Sequence, residues 1–160
     1  RTSRQAREEA MLNRTRYEDC VCVDASLVVK WLVSEPDSMR ALDVLEEWIG
    51  RGVRMIAPPL LDYEVGSVLR KLAARGVLEV DDARQRLHMF ERLGIQHMHP
   101  PFLLRRAWEI ANSHSLYTIY DASYAALSEL TGTRLYTCDR ALIEALNWSS
   151  DLVINPLATA

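Results

Sequence analysis

Short apolar runs alternate along the chain with stretches of helical period. The run CVCV at 20–23 is continuously apolar, the texture of a strand buried on both faces, and it ends at Asp24. Leu27, Val28, Trp31 and Leu32 recur at helical spacing up to a break at Glu35-Pro36. A second helix carries Ala41, Leu42, Leu45, Trp48 and Ile49, with Asp37 or Ser38 as its cap and Gly50 and Gly52 at its end. A strand is predicted at 55–57. Pro58-Pro59 then opens a helix over 60–74, with Gly76 past its end. The remaining pattern predicts a helix over 80–93, a strand over 95–98, and a helix after Pro100-Pro101 bearing Leu103, Leu104, Ala107, Trp108 and Ala111. Last come a helix over 120–130 stopped by Gly132, a strand over 134–137, a short helix over 141–146 and an edge strand over 152–154. Strands alternating with helices predict an α/β fold, a mostly parallel sheet covered on both faces.

Length and composition narrow this picture. At 160 residues the chain is one domain, long enough to bury a core without disulfide or metal staples. Apolar residues make up 49% and charged residues 26%, which excludes disordered and collagenous classes. The longest apolar stretch, 21–33, is cut by Asp24 and Lys30 and is too short to span a bilayer. Cys20, Cys22 and Cys138 are an odd set without zinc-site spacing, read as reduced thiols of a cytoplasmic protein, and no secretory pattern precedes the domain. Residues 1–19 differ in texture, with five arginines, four acids and little apolar content, and Met11 offers a start within them. They are expected to be an arm, a short helix or a cloning remnant outside the domain.

Four acids stand where chemistry is expected. Ligands of parallel sheets bind beyond the carboxyl ends of the strands, and Asp24 and Asp139 each follow a strand there. Each also precedes a helix and is equally well placed as its N-cap. Glu64 lies on the 60–74 helix. With Glu64 at zero, Leu60, Val68, Leu61 and Leu72 fall at about −40°, +40°, +60° and +80°, and Asp62 falls at about 160°. Glu64 therefore faces the core, where a charge must be paired, protonated or bound to a cation. Asp121 opens the helix YDASYAALSEL, with Thr118 placed for a T-x-x-D capping box.

Converging, these carboxylates repel one another unless a divalent cation compensates. Mg²⁺ takes oxygen ligands and keeps waters, so a few carboxylates suffice without His or Cys. Such a site suits phosphodiester hydrolysis. Removing four negative charges from the net −3 also leaves +1, so the acidity of the chain does not bar a polyanionic substrate.

The runs VCVDASLVVKWLVSEP (21–36), APPLLDYEVGSVLRKL (57–72), YDASYAALSEL (120–130) and LYTCDRAL (135–142) resemble the PIN-domain ribonucleases, in particular the VapC-type toxins of toxin–antitoxin pairs. The resemblance covers about residues 20–148. It implies a PIN-like three-layer fold over 20–157, with a mostly parallel four- or five-stranded sheet between helices. It further implies Mg²⁺- or Mn²⁺-dependent endoribonuclease activity, homodimerisation, and neutralisation by a cognate antitoxin docking near the active site. The family's acids fall on Asp24, Glu64, Asp121 and Asp139, and its hydroxyls on Ser26 and Thr137. Asp24, Asp121 and Asp139 are expected to ligate the metal directly or through water, and Glu64 to ligate it or orient the attacking water. Ser26 and Thr137 are expected to hold outer waters or the scissile phosphate. Arg140, beside the acidic edge, is expected either to contact substrate phosphate or to be a solvated surface residue.

Other readings have less behind them. His97 and His99 share a strand face, but neither they nor His88 and His114 bring an evident third ligand, so hydrogen-bonded or solvated roles are expected. Trp31, Trp48, Trp108 and Trp148 are expected in the core. A non-catalytic receiver-like module needs a lysine at a strand end, and the only lysines, Lys30 and Lys71, lie in predicted helices. A PIN-like module that keeps its acids but only binds a partner remains the other alternative.

Overall fold

The computed structural model describes residues 19–149 and 151–158. Apart from Asp19, the expected arm over 1–19 lies outside the described residues. The strands are β1 (Cys20–Val23), β2 (Arg54–Ala57), β3 (Gln96–His97), β4 (Arg134–Tyr136) and β5 (Val153–Ile154). Between them run α1 (Ala25–Leu32), α2 (Ser38–Gly50), α3 (Leu60–Ala74), α4 (Val80–Glu91), α5 (Leu103–Ser113), α6 (Tyr120–Thr131) and α7 (Arg140–Leu146). Every neighbouring pair of strands is parallel, in the order β3-β2-β1-β4-β5.

All four residues of β1 are apolar and buried, which suits the strand that has neighbours on both sides and helices over both faces. From β1 the chain steps outward through β2 to β3, then returns so that β4 pairs with the other flank of β1. The strand order therefore reverses between β1 and β4. The connections leaving these two strands part company there and open a crevice at their carboxyl ends. The core around them includes Leu27, Val28, Ile56, Val65, Tyr124 and Leu127. Gly132, at φ 68°, ends α6 in the left-handed conformation and turns the chain into β4.

Most predicted elements form, with informative differences. The third strand is shorter than expected: only Gln96 and His97 are strand, although Met98 still donates its N–H to the Ala57 carbonyl (2.9 Å). Asp37 stands at the N-cap of α2 in left-handed backbone and makes no capping bond. Ser38 instead donates to the Val33 carbonyl (2.8 Å) and accepts from Glu35 N–H (2.9 Å).

The capping box from Thr118 to Asp121 does not form. α6 starts one residue too late for it, with Ile119 at the N-cap and no side-chain cap. Trp31 and Trp48 are buried edge to face (6.2 Å between centroids), but Trp108 is 68% exposed. The buried stripe of α5 is Leu103, Ala107, Ile110 and Ala111. Leu104 and Trp108 form the next row, about 100° and 140° round from Leu103, and face outward. Ile49 is also exposed, in the last turn of α2.

Candidate active site

Asp24 ends β1 and caps α1: its Oδ1 accepts the Leu27 N–H (3.2 Å). The helix start thereby fixes the rotamer of a carboxylate that is only 5% exposed. Two hydroxyls complete its surroundings. Ser26 donates to Oδ1 (2.7 Å), and Thr137, beyond β4, donates to Oδ2. The same hydroxyl oxygens accept backbone N–H groups of the β4–α7 turn, Cys138 N–H on Ser26 (2.9 Å) and Asp139 N–H on Thr137 (3.0 Å). Each hydroxyl has one proton, and both protons point at Asp24. The turn after β1 and the turn after β4 are thus stitched together through one carboxylate.

Asp139 repeats the design one strand over. It caps α7, with Oδ1 accepting from Leu142 N–H (3.1 Å). For both aspartates the capping role and the clustered position hold at once. Glu64 projects from the second turn of α3 and is half-buried, as its place in the apolar stripe predicts. It accepts a short hydrogen bond from the Tyr124 phenol. Asp121, in the first turn of α6, makes no hydrogen bond or ion pair with the described residues and is half-buried.

The charges are linked in a chain. Burial raises the Asp24 carboxyl to about 6, against the hydrogen bonds from Thr137, Ser26 and Leu27, and the Asp139 charge pushes it further up. Burial also raises Asp121, again with a contribution from Asp139. Burial raises Glu64, opposed by the Tyr124 bond and reinforced by Asp121. Asp24 therefore feels Asp139, Asp139 acts on Asp121, and Asp121 acts on Glu64. Among the described residues none of the four carboxylates forms a salt bridge; the arginines, Lys30 and histidines that do pair engage other acids.

Among the described residues no three His, Cys, Asp or Glu side chains are arranged to grip one ion together. The acids form a row of neighbours instead of a closed cage. An all-oxygen row of unpaired carboxylates fits a hard cation that retains part of its water shell, and does not fit a soft metal. The nearby thiols stay protonated: burial, then the Asp24 charge, pushes Cys22 well up and Cys138 to about 11.

Arg140 is exposed at the start of α7, with no ion pair to the described residues. The histidines are occupied elsewhere or exposed: His97 pairs with Asp62 (2.7 Å), His88 with Glu91 (3.1 Å), and His114 meets the Ala145 carbonyl (3.1 Å). Lys30 and Lys71 lie within α1 and α3, and Lys30 is engaged by Glu35 (3.5 Å) and the Pro36 carbonyl (3.0 Å), which argues against a receiver-like site.

Sequence reasoning missed Tyr124. In YDASYAAL it reads as one more core aromatic, and it is indeed 1% exposed. Its position three residues after Asp121, on the same helix face, is the only hint in the sequence.

A family model described as PIN domain matches residues 21–146. VapC ribonuclease Mb0985 of Mycobacterium bovis is 35% identical over 122 residues, covering 76% of this chain and 87% of that protein. Ribonuclease VapC3 of Pyrobaculum aerophilum is 35% identical over 126 residues, covering 76% and 91%. Ribonuclease VapC1 of Mycobacterium tuberculosis is 33% identical over 130 residues, covering 80% and 91%. The crystal structure of PAE2754 from Pyrobaculum aerophilum superposes with a TM-score of 0.61 at 27% identity, covering 79% of this chain and 86% of that one.

Proposed function

The chain belongs to the PIN-domain family, and on that premise we propose that it is a VapC-type endoribonuclease, the toxin of a type II toxin–antitoxin pair. It hydrolyses RNA phosphodiester bonds with Mg²⁺ or Mn²⁺. The observation that carries this reading is Asp24, a buried carboxylate with no counter-charge among the described residues, linked through Asp139 to Asp121 and Glu64 at the reversal of strand order. Sites of that kind attract cations because a bound positive charge relieves the mutual repulsion of ionised carboxylates at close quarters.

Asp24, Asp121 and Asp139 would hold a cation directly or through its waters, and Glu64 would join them or orient the attacking water. A divalent cation held there would supply a water of lowered pKa and a charge to offset that developing on the phosphate. The chain's own groups set the geometry. Asp24 Oδ1 already accepts two protein donors and Oδ2 one, so its remaining acceptor capacity lies on Oδ2. Asp139 has Oδ1 committed to its cap, and its other oxygen takes no hydrogen bond from the described residues. Ser26 and Thr137 hold Asp24 in place and favour its ionised form, the form that binds a cation. Arg140 meets a backbone phosphate of the substrate at the rim.

The partners follow from the same family reading: RNA, a cognate antitoxin that masks the acidic crevice, and a second copy in a homodimer, all in the cytoplasm. No helix among the described residues is long and apolar enough to cross a membrane.

The test incubates the full chain with RNA and Mg²⁺ or Mn²⁺, alongside EDTA and Asp24→Asn controls. Cleavage only in the cation-loaded wild type is expected. Cleavage that persists in EDTA or in D24N, or none in any arm, overturns the reading.

A further inference from the structure

Among the described residues Glu64 is held by one hydrogen bond. Asp24 takes three donors and Asp139 a cap, but among the described residues Glu64 accepts a hydrogen bond from the Tyr124 phenol alone. Its side chain has three rotatable bonds and is half-buried, so without that donor several rotamers compete. Tyr124 has only two, and its ring is locked in the core at 1% exposure. The helices involved pack mainly on other elements: α3 chiefly on α1 and α4, α6 chiefly on α5, β1 and β4. The phenol therefore bridges the crevice and ties Glu64 to the helix that carries Asp121. Asp121 and Tyr124 stand three residues apart on α6, so one helix both supplies an acid and aims its neighbour. A thiol contact from Cys22 in β1 to the Tyr124 carbonyl (3.7 Å) ties this turn of α6 to the central strand.

We propose that Tyr124 is a positioning residue that presets Glu64 beside Asp121, so that the helix-borne half of the acidic row is organised for a divalent cation before one arrives. The inference rests on the endoribonuclease reading above. It adds that cation affinity at this half of the site is controlled by a phenol that never touches the ion.

The experiment titrates the full-length wild type, Tyr124→Phe, Glu64→Ala and the double variant with Mn²⁺ by calorimetry, and measures thermal transitions without cation. Y124F removes one oxygen and keeps the buried ring. It is expected to keep a near-wild-type cation-free transition and to lose about 10- to 100-fold in Mn²⁺ affinity, the usual effect of removing a ligand's supporting partner. In the Glu64→Ala background the same change is expected to alter affinity less than about 2-fold, because Tyr124 acts only through Glu64.

Wild-type affinity in Y124F overturns the proposal. So does an equal loss in both backgrounds, which marks the phenol as a packing residue. Should Y124F fail to fold, Glu64→Asp, one methylene too short to reach the phenol, must show the same loss, and wild-type affinity there overturns the proposal. Failure of the wild type itself to bind Mn²⁺ removes the underlying reading as well, whereas normal binding in wild type and variants alike removes only the role of Tyr124.

Discussion

The acidic row has two halves built by different means. Asp24 and Asp139 stand at strand ends, and each orients its carboxylate by capping the helix that follows. Glu64 and Asp121 stand on helices whose packing places the backbone but leaves the carboxylates nearly untethered, one on a single phenol and the other on nothing among the described residues. In the first half the carboxylates that line the crevice also cap helices, so orientation comes with folding. In the second half placement and orientation are separate, and orientation needs its own device. Substitutions should therefore act differently on the two halves.

Asp24→Asn gives the largest expected effect. Asparagine caps about as well as aspartate, so the fold survives while RNA cleavage falls by more than the roughly 100-fold typical of losing a supporting partner. The pH dependence of stability separates charge from shape. Asp24 titrates near 6 in the folded protein against 3.8 for the free group. In the cation-free protein its contribution to stability is fully present below the unfolded value and lost as pH rises through about 6. The asparagine variant escapes that loss. Its thermal transition should gain on the wild type between pH 4 and 6 and hold the gain above, by roughly 3 kcal/mol. A gap that does not change with pH contradicts the burial of an ionised Asp24.

Glu64→Gln, in the other half, should abolish most cleavage while the cation-free thermal transition stays level or rises slightly at neutral pH. Amide replacement removes a desolvated charge that caps no helix. A clear loss of stability would erase the distinction between the halves.

Thr137→Val sharpens the comparison at smaller amplitude. It removes one donor from Asp24 without emptying the space, and cleavage should fall about 10- to 100-fold. That donor holds the Asp24 pKa down, so the acid limb of the pH–rate profile should move to higher pH. An unshifted profile would assign Thr137 to the substrate instead. The smallest effect is expected from Arg140→Ala, exposed and outside both halves: a weaker KM, an unchanged kcat, and a salt dependence of RNA binding shallower by about 1 in log–log slope.

The strand-end half was the more legible in the sequence. A buried strand such as CVCV shows itself as an apolar run, and the acid after it doubles as a cap, so both its place and its orientation follow from local rules. The position of Glu64 was legible too, because the period of α3 puts it inside the apolar stripe. What aims it was not. Tyr124 and Glu64 lie 60 residues apart, and nothing local tells a phenol that bonds an acid from one that merely fills the core. Trp108 failed for a related reason. Periodicity shows that apolar residues share a face, but on α5 two neighbouring rows are apolar, and only the tertiary packing decides which is covered. The capping box at Thr118 had the right residues in the wrong frame.

The strand order carries a consequence for biosynthesis. The Thr137 hydroxyl that grips Asp24 lies 113 positions later in the chain, on the far side of the reversal. A growing polypeptide on the ribosome, or any fragment ending before β4, holds Asp24 and Glu64 but neither Thr137 nor Asp139. The crevice closes only when nearly the whole domain has been made, so a chain that stops short of β4 lacks two of the groups that line it.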